Sequence, residues 1–287
     1  MKPTWLRRKL PDPHILQNMR DLLARHHLYT VCQGALCPNQ GECFAAGTAT
    51  FLILGRTCTR ACTFCAIPST QHPPTPDPDE PYRIAQAVQE LGLNYVVITS
   101  VTRDDLVDGG AGHFAKTVQI LKERNPLLIV EVLIPDFQGS LLSLQKVIES
   151  GADIINHNLE TVPRLYPEVR PQADYQRSLR LLRIVKGIDP NRITKSGLML
   201  GLGEVKEEIL EVMEDLRQVS CDILTLGQYL QPSQKHHPVV RYIPPEEFAE
   251  FKDIGEKMGF KEVFSGPLVR SSFHAQEVYK KIAGNNR

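Results

Sequence analysis

The chain has 287 residues, of which 42% are hydrophobic, and this is enough for one large α/β domain or two small ones with a sizeable buried core. Its 33 basic and 33 acidic residues balance, so the overall charge gives no support for binding to nucleic acid or to an anionic membrane surface. The basic start lacks the features of an export signal, and the longest apolar runs are far short of the roughly 20 residues that a membrane span needs, so we expect a soluble cytoplasmic protein.

The predicted secondary structure follows a βα rhythm. A helix over 14–25 precedes a loop-rich segment from His26 to Gly47, and from Thr50 onward apolar runs of strand length alternate with amphipathic stretches. We predict strands near 50–55, 95–100, 128–134, 152–159, 194–202 and 223–230. We predict helices at 80–91, 113–124, 140–150, 174–187 and 204–218. These about six βα repeats indicate an α/β fold, a partial (β/α)6 barrel of the TIM type, with its chemistry at the carboxyl ends of the strands.

Three regions are expected along the chain: an N-terminal extension over 1–49, the barrel over 50–232, and a C-terminal extension over 233–287 that closes the barrel. The last region should contain a helix over 244–259, a strand near Val263 and a helix from about Phe273. Residues 68–81 hold six prolines in fourteen positions, which predicts an extended loop because proline removes an N–H donor and fixes φ.

Seven cysteines are distributed very unevenly. Six of them crowd into 34 residues near the N-terminus, and they are Cys32, Cys37, Cys43, Cys58, Cys62 and Cys65, while Cys221 stands alone. In a reducing compartment such a dense group indicates metal binding or redox catalysis, because free thiolates bind soft metals.

The set Cys58, Cys62 and Cys65 has the spacing C-x3-C-x2-C and directly follows the first predicted strand. Three ligands leave one iron of a [4Fe–4S] cluster open for a small molecule. With Phe64 before the third cysteine, the motif resembles that of the radical S-adenosylmethionine (SAM) superfamily. Structural zinc is the alternative, but zinc usually takes four ligands in two pairs.

The resemblance implies that the open iron binds the amino and carboxylate groups of SAM and that reductive cleavage of SAM gives a 5′-deoxyadenosyl radical. Residues 197–204 are similar to the family's G-x-I-x-G-x-x-E motif, with Met199 in the isoleucine place. Polar residues after predicted strands match other cofactor-side positions, although each could also be a structural cap. The implied cofactor-binding residues are Phe64, Thr99, Asn158, Glu160, Arg170, Gly201 and Glu204.

The set Cys32, Cys37 and Cys43 has the spacing C-x4-C-x5-C and predicts a second cluster. Cys221 could supply a fourth ligand, yet its place between a helix and a strand favours a buried packing role. The two cysteine sets together resemble lipoyl synthases, which ligate the second cluster with a serine of an Arg-Ser-Ser-Tyr motif. This chain has Phe273 in the tyrosine place, and the match assigns Ser272 as the ligand.

The match to that family extends over almost the whole chain, through residues 5–7, 108–111 and 231–233. Taken alone, residues 270–272 would be read as an ordinary helix cap, since serine favours that position.

The resemblance implies two [4Fe–4S] clusters and insertion of two sulfur atoms into an octanoyl group on a carrier-protein lysine, with two SAM molecules used per product. Cys58, Cys62, Cys65 and Ser272 would be the catalytic ligands, and the second cluster would be the sulfur donor. The implied partners are octanoylated lipoyl carriers, namely E2 subunits of 2-oxoacid dehydrogenases and the glycine cleavage H protein, and an electron donor such as ferredoxin or flavodoxin.

Two alternatives remain open at this point: a biotin-synthase-like enzyme, which lacks the upstream cysteine set, and a non-enzymatic iron–sulfur or zinc protein that senses redox state or binds a partner. The histidine pairs 26–27 and 236–237 are expected to be solvated or packed residues. Residues 7–9 and Lys235 are candidates for docking an acidic carrier domain, on the basis of charge alone.

Overall fold

The computed structural model describes residues 2–7, 12–35, 37–46 and 48–284. Within them, eight strands form one sheet in which neighbours follow chain order. The strands are β1 (Tyr29–Thr30), β2 (Thr50–Ile53), β3 (Tyr95–Ser100), β4 (Ile129–Leu133), β5 (Ile154–Asn156), β6 (Ile193–Leu200), β7 (Ile223–Gln228) and β8 (Glu262–Gly266). β1 is antiparallel to β2, whereas β2 to β4 and β6 to β8 run parallel, and β1 and β8 at the two edges are not paired with each other.

Helices follow the strands in the order expected of βα repeats. They are α1 (Pro13–Arg25), α2 (Val31–Gly34), α3 (Gln40–Ala45), α4 (Glu80–Glu90), α5 (Ala111–Arg124), α6 (Leu141–Glu149), α7 (Tyr166–Val169), α8 (Tyr175–Ile188), α9 (Lys206–Gln218), α10 (Pro245–Lys257) and α11 (Ala275–Gly284). Each of β2 to β7 is followed by at least one helix, so the six predicted βα repeats and the open α/β fold are confirmed. None of the described helices combines the length and apolarity needed to cross a membrane.

Contacts within the chain divide it into two compact units. The first comprises residues 8–61 and 65–155 and contains the parallel strands β2, β3 and β4, with Phe51 opposite Ile98 and Ile98 opposite Val132. β2 and β3 are buried almost throughout, and β4 in its three central residues, as is typical of parallel strands covered on both faces. α4 packs on α5, and α5 packs on α6.

The second unit comprises residues 1–7, 62–64 and 156–287 and contains β6, β7 and β8 in parallel register. α10 and α11 pack on β8. One face of α9 is buried through residues at helical spacing, as the sequence predicts, and these are Ile209, Val212, Met213 and Leu216.

The structure corrects several predicted boundaries. The segment 26–47, expected to be a loop, contains β1, α2 and α3, the last two being helices of four and six residues that are too short to give a periodic pattern. The segment 68–81 was expected to be a loop throughout, but its last two residues begin α4. Pro81 lies in the first turn of that helix, where a missing N–H breaks no helical hydrogen bond. β5 is three residues long rather than eight, since the chain turns into a polar loop after Asn156.

Candidate functional site

The loop after β2 folds back on itself around Cys58. The backbone N–H of Cys58 donates to the carbonyl of Pro68 at 2.9 Å, and its carbonyl accepts the N–H of Thr70 at 2.9 Å. The sulfur of Cys58 accepts backbone N–H groups from Arg60 at 3.4 Å and from Thr102 at 3.3 Å. These two contacts hold the sulfur of Cys58 in a fixed position within the loop.

Arg60, in the same loop, is a buried anchor that the sequence interpretation missed. Its guanidinium donates to Asp104 at 2.7 and 2.9 Å and to Asp136 at 2.6 and 3.1 Å. Burial alone would lower the pKa of Arg60, but the two carboxylates raise it above its ordinary value. Asp104 follows β3 and Asp136 follows β4, so Arg60 ties the cysteine loop to the carboxyl ends of two neighbouring strands.

The middle of this loop, residues 62–64, belongs to the second unit and is held there by Thr63. The N–H of Thr63 donates to the carbonyl of Val169 at 3.0 Å, and its carbonyl accepts the N–H of His237 at 2.9 Å. The thiolate of Cys62 interacts electrostatically with the guanidinium of Arg170. A permanent cation therefore lies near one of the three sulfurs of this set.

Arg170, the residue immediately after α7, reaches the residues that follow β5. One terminal nitrogen donates to the carbonyls of Asn158 at 3.1 Å and Leu159 at 2.8 Å and to the hydroxyl of Tyr166 at 3.1 Å. The Nε atom of Arg170 is buried and has no hydrogen-bond partner among the described residues. An unpaired buried donor on a guanidinium is a group that a carboxylate ligand would satisfy.

Asn158 and Glu160 form a polar pair after β5, with the amide nitrogen of Asn158 donating to Oε1 of Glu160 at 3.0 Å. Glu160 has a φ of 66°, which is unusual for a residue other than glycine. Its N–H donates to the carbonyl of Gly197 at 2.9 Å, and its carbonyl accepts the N–H of Met199 at 2.8 Å. Burial raises the pKa of Glu160, and Arg170 opposes that rise. Such backbone strain beside a perturbed carboxyl group is characteristic of ligand sites.

Gly197, in β6, leaves the space that Asn158 occupies. A Cβ atom at position 197 would lie 2.5 Å from Oγ1 of Thr225 and 3.0 Å from Oδ1 of Asn158. The first glycine of the 197–204 motif is therefore required by close approach of side chains from the two flanking segments.

The second half of that motif folds the loop after β6. Gly201 has a φ of 101°, and the carboxylate of Glu204 accepts the N–H groups of Gly201 at 2.5 Å and of Leu202 at 2.9 Å. Burial raises the pKa of Glu204, while these N–H groups lower it. Both oxygens of Glu204 are thus engaged by the backbone, and the structure gives this residue a loop-closing contact.

At the end of β3, two neighbouring hydroxyls have different surroundings. Thr99 donates to the carbonyl of Leu133 at 3.0 Å, whereas Oγ of Ser100 is buried without a hydrogen-bond partner among the described residues. The hydroxyl of Ser100 is therefore the freer of the two.

The second cysteine set lies in and between two short helices, with Cys32 in α2 and Cys43 in α3. Burial raises the pKa of Cys32 to about 11, and the charge of Cys37 adds to the rise. Burial also raises the pKa of Cys43 to about 12, and Cys32 and Cys37 add to it. The structure thus brings the three thiols of this set within electrostatic range of one another.

The segment 270–272 precedes α11, but the residue immediately before that helix is His274, so Ser272 is not its N-cap. The hydroxyl of Ser271 accepts a hydrogen bond from the amide of Asn156 at 2.8 Å and donates one to Oδ1 of Asn158 at 3.1 Å. This bridge links the C-terminal segment to the end of β5, and no sequence motif indicated it.

Comparison with known proteins places the chain in a family. The model of the Radical SAM superfamily matches residues 52–216. The chain is 56% identical over 274 residues to a lipoyl synthase of Caldanaerobacter subterraneus subsp. tengcongensis, covering 96% of this chain and 95% of the relative. It is 54% identical over 276 residues to a lipoyl synthase of Haemophilus influenzae, covering 96% and 86%. The chain belongs to the lipoyl synthase family.

Solved structures support the same fold at low sequence identity. Methylornithine synthase (PylB) is similar with a TM-score of 0.54 and 17% identity, over 86% of this chain and 74% of that one. HydG, a maturase of the [FeFe]-hydrogenase, gives a TM-score of 0.59 and 15% identity, over 80% of this chain and 54% of that one. These two likenesses concern the fold alone.

As a member of the lipoyl synthase family, the chain is a sulfur-inserting radical SAM enzyme that uses SAM and two [4Fe–4S] clusters. Its residues fit these groups. The unpaired Nε of Arg170 suits the SAM carboxylate, and the N–H groups aimed at the sulfur of Cys58 suit a thiolate ligand. The raised pKa values of Cys32 and Cys43 disfavour their thiolates in the free protein, and an iron core would offset this through its positive charge.

Other candidate residues have ordinary structural contacts. Cys221 is fully buried, and its thiol donates to the carbonyl of Ile223 at 3.4 Å, in agreement with a packing role. The ring of His26 contacts Glu90 at 2.8 Å, and the buried ring of His237 contacts the carbonyl of Leu202 at 2.8 Å. Of the basic candidates for carrier docking, Arg7 and Lys235 are exposed, while residues 8 and 9 lie outside the described residues.

Proposed function

We propose that the chain inserts two sulfur atoms into an octanoyl group held in amide linkage on a lysine of a lipoyl carrier protein, and that it uses two molecules of SAM per product. The observation that carries the proposal is the presence of two separate three-cysteine sets with different surroundings. One has backbone N–H groups and a cation near its sulfurs, and the other contains two thiols, Cys32 and Cys43, whose pKa values are raised by burial and by the neighbouring sulfurs.

Cys58, Cys62 and Cys65 are proposed to hold the cluster that binds SAM. The N–H groups of Arg60 and Thr102 would orient the sulfur of Cys58, and the Arg60 ion pairs would keep the loop in place. These contacts would position the cysteine ligands before the metal binds, which reduces the rearrangement that binding requires.

The SAM-binding side of the site is proposed to consist of residues from the ends of several strands. Arg170 would receive the carboxylate on its unpaired Nε, and Asn158 and Glu160 would contact the polar end of SAM. The other proposed cofactor-side residues are Phe64, Thr99 or its neighbour Ser100, Gly201 and Glu204.

Cys32, Cys37 and Cys43 are proposed to hold the second cluster, with Ser272 as the fourth ligand on the strength of the motif match. When bound, the clusters and SAM supply a radical that removes hydrogen from unactivated carbons and the sulfur that replaces it, chemistry that acid–base side chains cannot perform. The chain's own contribution is to hold the acyl group and to exclude water and competing reactions.

The proposed partners are octanoylated carrier domains, namely E2 subunits of 2-oxoacid dehydrogenases and the glycine cleavage H protein, and a reductant such as ferredoxin or flavodoxin. We propose a cytoplasmic location, since seven free cysteines are suited to a reducing compartment.

The division of labour between the two cysteine sets is testable with matched variants. Cys62→Ser should abolish both SAM cleavage and sulfur insertion, whereas Cys43→Ser should retain SAM cleavage and lose sulfur insertion. Each variant should lose about four irons per chain, because each cluster holds four. Cys221→Ser, which alters a buried thiol outside both sets, is the control and should keep all the iron and both activities.

The assay is anaerobic incubation of the reconstituted protein with SAM, dithionite and an octanoyl-lysyl peptide, with 5′-deoxyadenosine and the peptide both measured by mass spectrometry. Sulfur insertion by Cys43→Ser at the parent rate would contradict the assignment of the second cluster. SAM cleavage by Cys62→Ser would contradict the assignment of the first.

A further inference from the structure

We propose that Ser271 is a positioning residue that fixes the adjacent Ser272 against the strand end carrying Asn158 and Glu160. The inference rests on the proposed function, in which Ser272 is a ligand of the second cluster and Asn158 and Glu160 contact SAM. It assigns to Ser271 a role distinct from ligation: Ser271 would fix the position of the Ser272 ligand relative to the residues that contact SAM.

The geometry of the Ser271 hydroxyl supports this role. It accepts the amide N–H of Asn156 at 2.8 Å and donates to Oδ1 of Asn158 at 3.1 Å. Asn156, the last residue of β5, is fully buried, and Asn158 is 8% exposed. A hydroxyl group can donate and accept at the same time, so one small side chain bonds both the amide nitrogen of Asn156 and the amide oxygen of Asn158.

The bridge continues to the proposed SAM pocket. The amide nitrogen of Asn158 donates to Glu160 at 3.0 Å, so three consecutive hydrogen bonds join Asn156, Ser271, Asn158 and Glu160. The guanidinium of Arg270 also acts electrostatically on Glu160. Ser271 thus bonds to the segment after β5, and Arg270 acts on the same segment through its charge.

The backbone leading into this segment has little freedom to move. A Cβ atom on Gly227 of β7 would lie 2.1 Å from the carbonyl of Val269, so the chain just before Arg270 packs directly on the strand backbone. Because this backbone is closely packed, a change in the position of Asn158 should also shift residues 271–272.

The test separates positioning from stability. Ser271→Ala removes the bridge, Ser271→Thr retains a hydroxyl, and Asn156→Ala removes the donor on the other side. Ser265→Ala is the matched control: Ser265 lies on β8 in the same unit, is partly buried, and donates to the carbonyl of Phe248 at 2.7 Å. The measurement is the ratio of 5′-deoxyadenosine formed to sulfur inserted into an octanoyl-lysyl peptide.

We expect Ser271→Ala and Asn156→Ala to raise this ratio about tenfold, because small displacements of reacting groups strongly reduce productive reaction while SAM cleavage continues. Ser271→Thr should restore the ratio to within about twofold of the parent value, as expected if the hydroxyl carries the effect. Iron content and the electron paramagnetic resonance signals of both clusters should be unchanged in all of them. A ratio in Ser271→Ala equal to that of Ser265→Ala would overturn the proposal.

The ligand assignment is tested separately with Ser272→Ala. Loss of iron or an altered resonance signal in that variant supports ligation by Ser272. Full iron content with unchanged product formation would refute the ligand assignment, whatever the result at Ser271, so the two failures are distinguishable.

Discussion

Replacing Gly197 by alanine tests whether the residues after β5 form the SAM site. The added methyl group would lie 2.5 Å from Oγ1 of Thr225 and 3.0 Å from Oδ1 of Asn158, whereas ordinary contact begins near 3.4 Å. The neighbours must therefore move by several tenths of an ångström. Overpacking of this kind costs about 1–3 kcal/mol, which corresponds to about a 5- to 150-fold loss of affinity if Asn158 is displaced from its SAM contact.

The assay is anaerobic calorimetric titration of SAM into protein carrying both clusters. Gly187→Ala is the matched control, because a Cβ at that exposed position of α8 would meet nothing within 4 Å. The control should bind SAM like the parent and gain about 0.5–1 kcal/mol in unfolding free energy, since alanine is the better helix former. Parent-like SAM affinity in Gly197→Ala would refute the placement of Asn158 in the SAM site.

Three further outcomes follow from the structure. Arg60→Lys keeps the charge but loses the paired contacts to Asp104 and Asp136, so iron incorporation into the first cluster should fall to less than about half of the parent value. Iron analysis measures this, and full incorporation would show that the Arg60 contacts are dispensable. Burial would raise the pKa of Asp222, but the ammonium groups of Lys186 and Lys261 hold that pKa below its ordinary value. The ionised Asp222 therefore stabilises the folded protein above about pH 4, and this stabilisation is lost as the pH falls through the folded-state pKa. Asp222→Asn should therefore lower the unfolding free energy by about 3 kcal/mol at pH 7 and by much less near pH 2, measured by urea denaturation; an equal loss at both pH values would contradict this account. Lys235→Glu should weaken carrier-protein binding at low salt and not at high salt, and binding unchanged at low salt would exclude this residue from docking.

The order of the βα repeats was predictable because their strands and helices carry strong local patterns. β2, for example, is a run of four buried residues, and α9 buries one residue on every turn of a single face. The cysteine spacings were likewise local, so both three-thiol sets were apparent from the sequence. Short helices such as α2 and α3 were missed because neither spans two full turns, and a periodic pattern needs at least two turns to repeat.

Contacts between distant parts of the chain could not be predicted. The ion pairs of Arg60 span 44 and 76 positions, and the hydrogen bond between Ser271 and Asn156 spans 115. Which of Thr99 and Ser100 keeps a free hydroxyl depends on the carbonyl of the neighbouring strand, and that partner is fixed only by the register of the sheet. These contacts can be identified only once the three-dimensional structure is known.

The most direct test of the central claim is mass spectrometry of an octanoyl-lysyl peptide after anaerobic incubation with the reconstituted protein, SAM and a strong reductant. We predict a product that has gained two sulfur atoms, observed as the dithiol under the reductant and as a species two hydrogen atoms lighter after air oxidation to the cyclic disulfide, with two 5′-deoxyadenosine molecules formed per product. An unchanged peptide, in a sample that carries both clusters and cleaves SAM, would contradict the proposed substrate and the role of the second cluster as sulfur donor.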